Sequence, residues 1–307
     1  MSPEPFSFVA DRGDAGRRLD QVLVRRVTDV SRLSRTTAQR WIENGAVEVD
    51  ARVVTRPSAT VAEGAAICVA LPAGVVRRLR PAAEPGALHV VHEDGDLLVI
   101  SKPAGVVAHP TYKQTSGTAL NSLLWHLRDR GPVTPGILTR LDKDTSGLMI
   151  VALSPGVHAA AQRDAAAGRI RKEYLAVVAV TPTPRRGTIV LPLARDPLDR
   201  RRVVPAPDGA PSETRYDVVA ASADGALVRC ELVTGRTHQI RVHLAARGWP
   251  IVGDGVYGAA DPRIARQALH SWRVSMPHPV TRVAMAFEAP PPDDFVTLCA
   301  LAGVALA

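Results

Sequence analysis

Lysine is nearly missing from this chain. Of 38 cationic side chains, only Lys102, Lys113, Lys143 and Lys172 are lysines. A GC-rich genome produces that preference for arginine, and the abundance of alanine fits the same origin. Codon bias does not explain the formal net charge of +8. Such an excess of cations speaks about partners rather than fold, and nucleic acid is the leading candidate. Cysteine is also scarce. Cys68, Cys230 and Cys299 lie far apart with no Cys-x-x-Cys pair, which removes support for a zinc or redox motif and suits a reducing cytoplasm. Long apolar runs are absent. Residues 1–18 do not read as a signal peptide, and the apolar stretch 295–307 is short of the roughly 20 residues a membrane helix needs. That stretch is expected to be a final packed helix, with no membrane partner. No His-Glu-x-x-His, Gly-x-x-x-x-Gly-Lys, Gly-x-Gly-x-x-Gly or Gly-x-Ser-x-Gly is present, so metalloprotease, phosphate-loop, dinucleotide and serine-hydrolase readings lose their usual marks.

What is present fits a globular protein of two domains: 307 residues, 46% apolar and 22% charged. Residues 16–71 read as two helices and a hairpin. Leu19, Val22, Leu23 and Val27 keep helical spacing, Ser34 caps a second helix that Gly45 stops, and Asp50-Ala51 turns between valines. Arg35 and Arg40 sit on that second helix and Arg32 just before it. They suit a phosphate backbone, and equally a solvated helix face. The basic, proline-bearing stretch 72–86 reads as a linker, which divides the chain into a domain at 1–71 and another at 87–307. In the second domain, strands at 88–92, 97–101, 147–153, 174–180, 188–191, 216–220 and 226–233 alternate irregularly with helices. That order predicts an α+β fold around a mixed, mainly antiparallel sheet, preceded by a small α/β module.

Four motifs in the second domain bear on chemistry. Lys102-Pro103-Ala104-Gly105 precedes His109-Pro110. Arg140-Leu141-Asp142 runs through Thr145-Ser146-Gly147-Leu148 into an apolar segment, so a carboxylate sits on a polar loop anchored by a buried strand. Alone, Asp142 and Asp144 read as turn formers. Lys172-Glu173-Tyr174-Leu175-Ala176 begins a strand. Gly235-Arg236-Thr237-His238-Gln239-Ile240-Arg241-Val242-His243 leads to Gly253-Asp254-x-x-Tyr257-Gly258. Thr237 is expected to cap a helix over 238–247, which leaves Arg241 near its middle and in want of an anion. His238 and His243 are five apart, which is wrong for chelating one metal from a helix face, so they read as satisfied supporting histidines. The residue types that remain are an acid, a tyrosine and an arginine, with no metal and no cofactor implied. The arginine-bearing stretch 195–202 reads equally as an RNA-contacting arm and as a surface loop.

Two resemblances follow from these residues. Arg18-Leu19-Asp20, Ser34-Arg35-x-x-Ala38-Gln39, Ile42-Glu43-x-Gly45-x-Val47-x-Val49 and Pro57-Ser58 resemble the S-four-type RNA-binding domain, departing at Asp50-Ala51, where that family more often has Asn-Gly. The ordered set Arg-Leu-Asp-x-x-Thr-Ser-Gly-Leu, Lys-x-Tyr-x-Ala and Gly-Arg-Thr-His-Gln-Ile-Arg-x-His, with Leu269-His270-Ser271 and His278-Pro279 later, resembles the RluA-type RNA pseudouridine synthases. The resemblance implies that Asp142 is the essential aspartate, Tyr174 stacks on the uracil, and Arg241 pairs with the aspartate. It also implies that Arg140 fills the gap left by a flipped-out uridine. Detaching uracil leaves an electron-poor sugar centre that a carboxylate can attack or stabilise, and a base inside a helix must be flipped out to be reached. Thr139 departs from the family's usual histidine. The implied partner is structured RNA, with large-subunit ribosomal RNA as the expected target and the enzyme acting as a monomer. A transfer-RNA target and a non-catalytic RNA-binding or ribosome-assembly factor are the alternatives.

Overall fold

The computed structural model describes residues 5–11, 13–27, 33–70, 81–111, 114–131, 133–199 and 201–306. The chain divides into two compact units, Met1–Arg80 and Pro81–Ala307. Arg32, read above as an RNA contact, lies outside the described residues.

The first unit runs β1 (Phe6–Val9), α1 (Leu19–Arg26), α2 (Arg35–Glu43), β2 (Val47–Val49), β3 (Arg52–Val53) and β4 (Ala66–Val69), with sheet order β1-β4-β2-β3. The Ser34 hydroxyl accepts the Thr37 N–H at 3.1 Å and so caps α2. The apolar faces of both helices, including Leu19, Val22, Leu23, Trp41 and Ile42, close over the inward residues Val47, Ile67 and Val69. Between β2 and β3, Asp50 and Ala51 have φ of 51° and 61°. This is the left-handed pair that a two-residue hairpin needs to match strand twist. Asparagine and glycine adopt it more readily than aspartate and alanine, so the departure seen in the sequence is a local strain.

The second unit is built on a ten-stranded sheet. Its hairpin β5 (His89–Glu93) and β6 (Leu97–Lys102) leads to α3 (Ala119–His126), β7 (Gly136–Ile137), β8 (Ser146–Ala152), α4 (Pro155–Ala166) and β9 (Arg171–Val178). Next come β10 (Arg186–Val190), the small hairpin β11 (Leu193–Arg195) and β12 (Val203–Pro205), then β13 (Glu213–Ser222) and β14 (Gly225–Leu232). The chain then forms α5 (Gln239–Ala246), β15 (Leu269–Pro277), β16 (Ala284–Glu288) and α6 (Asp293–Leu301). The strand order is β10-β13-β14-β9-β15-β8-β6-β5, with β16 on β15 and β7 on β8. Only the β15–β8 pairing is parallel among the described strands, so the α+β, mainly antiparallel expectation holds.

β8 is buried along its whole length, as its unbroken apolar run implies. Leu148 and Ile150 pack into one core layer, Met149 and Val151 into another. β15, a hub of the sheet, is not legible as a strand in the sequence. It touches β8, β9 and β16, and Ser271 stands opposite both Gly147 of β8 and Tyr174 of β9. Gly147 has φ 106°, and a Cβ there would lie 2.1 Å from the Ser271 carbonyl oxygen, so only glycine allows this approach. The end of the expected linker is held in place: Ala82 O accepts from Asn121 Nδ2 at 2.8 Å, and Glu84 accepts the Gly117 N–H at 2.7 Å.

Ala51→Gly is expected to relieve the β2–β3 turn by about 1 kcal/mol, since a left-handed alanine costs ~1–2 kcal/mol against a smaller glycine entropy term. Hydrogen exchange reads it: protection of the slowest α2 amides should rise about fivefold. Unchanged or reduced protection would show that the turn carries no strain.

Candidate active site

Asp142 lies in the loop between β7 and β8, and that loop is pinned from beneath. Lys102, buried at the end of β6, donates to the carbonyl oxygens of Pro103, Val106 and Lys143 at 2.8, 2.8 and 2.9 Å. Three donors meet three acceptors, which is what an ammonium offers. Burial pushes its pKa down to about 8 against the pull of Asp144 and Asp142. From the other side Arg266 donates to Asp144 O at 3.2 Å, and Gln267 donates to the Thr145 hydroxyl at 3.3 Å. Just inside β8, the Ser146 hydroxyl meets His270 Nδ1 at 2.9 Å, while His270 Nε2 donates to Ala289 O at 2.9 Å. Because Nε2 carries the proton, Nδ1 is the acceptor. The motif around Lys102 therefore belongs to the site by holding the loop backbone, a role not legible in the sequence.

Arg241 rises from α5 to meet Asp142. Its Nη1 donates to Asp142 Oδ2 at 3.0 Å, while Nε and Nη2 grip both oxygens of Asp254 at 2.7 and 2.8 Å. One guanidinium thus bridges two carboxylates, one half-buried and one fully buried. Burial opposes the charge on Arg241, but Asp254 and then Asp142 outweigh it and raise its pKa. Burial likewise opposes a charged Asp254, and Arg241 wins there too, holding that carboxyl below its usual range. The Asp254 carboxylate also accepts the N–H groups of Val256 and Tyr257 at 3.0 and 3.2 Å. The sequence predicted an anion for Arg241. It did not mark Asp254 as one, although Gly253-Asp254 stands out as a motif.

Tyr174 of β9 lines the same cleft, which has a volume of about 450 Å³ and is bordered by His109, Arg140, Asp142, Lys143, Lys172 and Arg236. Across the strand pair it stands opposite Ser271 of β15, whose hydroxyl donates to Leu148 O at 3.1 Å. Burial pushes the Tyr174 pKa up to about 12, which keeps the phenol neutral. Arg140 is exposed at the rim. Four cations around one opening suit a phosphate backbone bearing a base that enters the cleft.

Other expectations meet different fates. Thr237 is not the cap of α5: the helix starts at Gln239, and His238 occupies the capping position in a left-handed conformation with φ 55°. Gln239 locks the turn instead, its Oε1 accepting from the Thr234 hydroxyl and the Arg236 N–H and its Nε2 donating to Glu213 O and Thr214. His243 is a buried supporting histidine, bonded to the Thr214 hydroxyl and Leu191 O. His238 lies beside Asp142 at 3.8 Å. Thr139 serves the sheet locally, because its hydroxyl accepts the Ile150 N–H at 2.8 Å and so completes the edge of β8. In the first unit, Arg35 donates to the buried Asp20 at 3.1 Å with half its side chain exposed, and Arg40 is exposed on the same helix.

Among the described residues, Asp94, Asp96 and His278 could share a metal ion. His278 Nδ1 already accepts the N–H groups of Val280 and Thr281 at 3.2 and 3.0 Å. Its proton therefore sits on Nε2, facing Asp94 at 3.4 Å, where a metal would need a lone pair. The cluster is a clasp between turns.

Comparison with known proteins adds to this geometry. A family model described as RNA pseudouridylate synthase matches residues 96–246, and one described as S4 domain matches 17–67. An uncharacterized RNA pseudouridine synthase of Bacillus subtilis (strain 168), YlyB, is 36% identical over 95% of this chain and 96% of its own length. The chain belongs to the RNA pseudouridine synthase family. Ribosomal large subunit pseudouridine synthase D of Pasteurella multocida (strain Pm70) is 38% identical over 92% of this chain and 90% of that one. Among solved structures, human RNA Pseudouridylate Synthase Domain Containing 1 aligns with a TM-score of 0.55 at 28% identity, covering 68% of this chain and 86% of that one. The family isomerises uridine to pseudouridine, a change that moves the base from a nitrogen to a carbon linkage.

In this synthase, Asp254→Asn is expected to slow turnover by about 100-fold while RNA affinity stays near that of the native protein, because a guanidinium displaced by ~1 Å misplaces the carboxylate. Single-turnover assays beside RNA-binding titrations test it, and equal loss of both would reduce Asp254 to a folding role. His270 gives a pH test. Burial lowers its pKa from 6.5 to about 4, so across that window the unfolded chain holds the extra proton and stability falls on acidification, by at most about 3 kcal/mol. Thermal melts between pH 6.5 and 4 should drop less steeply for His270→Gln than for the native protein. Identical slopes would remove His270 as the source.

Proposed function

We propose that the enzyme modifies specific uridines of large-subunit ribosomal RNA in the cytoplasm, with Asp142 as its essential carboxylate. The observation that supports these roles best is the ion pair of Asp142 with a buried arginine at the mouth of a cleft that Tyr174 also lines. A uridine in a structured RNA reaches Asp142 only after leaving its stack, and an aromatic face is the natural support for a flipped base. Arg140, exposed at the rim, is proposed to enter the gap the base leaves. Uracil departs with its bonding electrons, which makes the sugar carbon electron-poor. The base turns, the same sugar carbon bonds to a ring carbon, that carbon gives up its proton, and the ring nitrogen released from the sugar takes one up. Asp142 serves this sequence either by attacking the sugar carbon or by taking a sugar proton, and both need the carboxylate charged and fixed. The sum is an isomerisation with no net gain of electrons or groups, so it consumes no oxidant, reductant or co-substrate.

The ribosomal target rests on relatives bearing that name, on the S4 match and on the net charge of +8. Arg35 and Arg40 of α2 are proposed to touch the RNA backbone from the first unit.

Pseudouridine mapping of total RNA from cells lacking the gene, restored with native protein or with Asp142→Asn, tests the proposal. Loss of marks in large-subunit ribosomal RNA, regained only with the native protein, is expected. Loss in transfer RNA instead would overturn the target. Restoration by Asp142→Asn would overturn the role of Asp142. No change at any site would favour a binding or assembly factor.

A further inference from the structure

The second oxygen of Asp142 faces a chain of groups that neither the ion pair nor the base support employs. Arg241 occupies Oδ2, and His238 Nε2 stands 3.8 Å from Oδ1. His238 reaches that place through its left-handed backbone, a conformation uncommon for a residue other than glycine and concentrated at functional sites. Its other nitrogen, Nδ1, lies 2.7 Å from the Tyr257 hydroxyl, which in turn accepts the Val203 N–H of β12 at 2.8 Å. With its oxygen engaged by a backbone donor, the Tyr257 hydroxyl gives its own proton to His238 Nδ1. The remaining imidazole proton must then sit on Nε2 and point at the carboxylate. The reverse arrangement would aim a lone pair at an anion and leave the Tyr257 proton without an acceptor.

Four charged groups bear on this imidazole: Asp142 and Asp254 favour its cation, Arg241 and Arg195 oppose it. Burial, joined by the two arginines, outweighs the aspartates and lowers its pKa, so the ring is neutral at neutral pH. The Tyr257 ring also lies against Arg241, with the guanidinium carbon 5.0 Å from the ring centre, so the same residue braces both arms that reach Asp142.

We propose that His238 is a positioning residue for Asp142: as a neutral N–H donor whose tautomer is set by the Tyr257 hydroxyl, it holds Oδ1 while Arg241 holds Oδ2. The pair is 3.8 Å apart in the free protein, longer than a hydrogen bond, and such contacts tighten when substrate closes the site. Fixing both oxygens leaves the carboxylate one orientation toward the sugar. The backbone of the β11–β12 hairpin becomes the far end of the chain, through Val203. This inference rests on the reading of Asp142 as the essential carboxylate.

The test is steady-state and single-turnover kinetics of full-length variants on the RNA that the native enzyme modifies. His238→Ala should lower kcat about 30- to 100-fold with KM changed less than about twofold, the pattern of a group that acts in the transition state. His238→Gln, whose amide N–H can reach Oδ1, should recover about tenfold of that loss. Tyr257→Phe keeps the ring against Arg241 and removes only the hydroxyl. It should lower kcat alone and lower it no further when combined with His238→Ala. Native kcat in His238→Ala, a change confined to KM, or fully multiplicative effects in the double variant would each overturn the proposal. If His238→Ala fails to fold by circular dichroism, the same cycle run with His238→Gln decides: a Tyr257→Phe penalty unchanged in that background overturns it. Asp142→Asn in the same assay separates the two levels of inference. Its retained turnover would defeat the reading of Asp142 itself. An inactive Asp142→Asn beside a fully active His238→Ala would defeat only the positioning role.

Discussion

A single guanidinium held between two carboxylates is the constraint around which the site is organised. Arg241 is almost wholly buried, and a buried cation without anions would cost several kcal/mol. Asp254 meets most of that need with a two-point grip and is itself fixed by two backbone N–H groups. The third contact goes to Asp142, which keeps partial access to the cleft. The pairing divides labour: a sealed carboxylate neutralises and aims the arginine, and the aimed arginine orients the one that faces the cleft.

The sheet brings these groups into one place. Asp142 precedes β8 and Tyr174 sits on β9, and neither strand pairs with the other. β15 lies between them, and its Ser271 faces Gly147 on one side and Tyr174 on the other. Close approach there depends on the missing side chain of Gly147. The loop above is then secured mainly through its backbone, by Lys102 and Arg266, and by Gln267 at Thr145. Backbone anchoring fixes the main chain around Asp142 without using its carboxylate, which stays at the cleft with Arg241 as its partner.

Much of this is legible in the amino-acid order, and the exceptions have physical causes. Ser34, Gly45 and the alternating valines mark out the first unit, because caps and turns depend on neighbours in sequence. The burial of β8 follows from its continuous apolar run. β15 is hidden because its Leu269-His270-Ser271 stretch mixes polar groups into a central strand, each satisfied by a distant partner. The residue pattern starts α5 one position early, since Thr237 looks like a cap while the side chain of Gln239 does the locking. Arg35 reads as facing RNA, yet it also answers Asp20, an anion buried fifteen positions away in sequence. Asp254, Tyr257 and Lys102 stand inside motifs without a visible role, because their partners are brought near only by the fold.

The amino-acid order by itself determined the class of fold and the existence of a separate N-terminal module, and it singled out the acid, aromatic and arginine that the fold brings together. Those properties reside in residue types, local spacing and net charge, which are fixed before the chain folds. Tertiary structure alone decided which anions Arg241 binds, which carbonyls Lys102 gathers, and which nitrogen of His238 keeps its proton. Each of these is a hydrogen bond between segments distant in sequence, and its energy depends on ångström separations that no local pattern encodes.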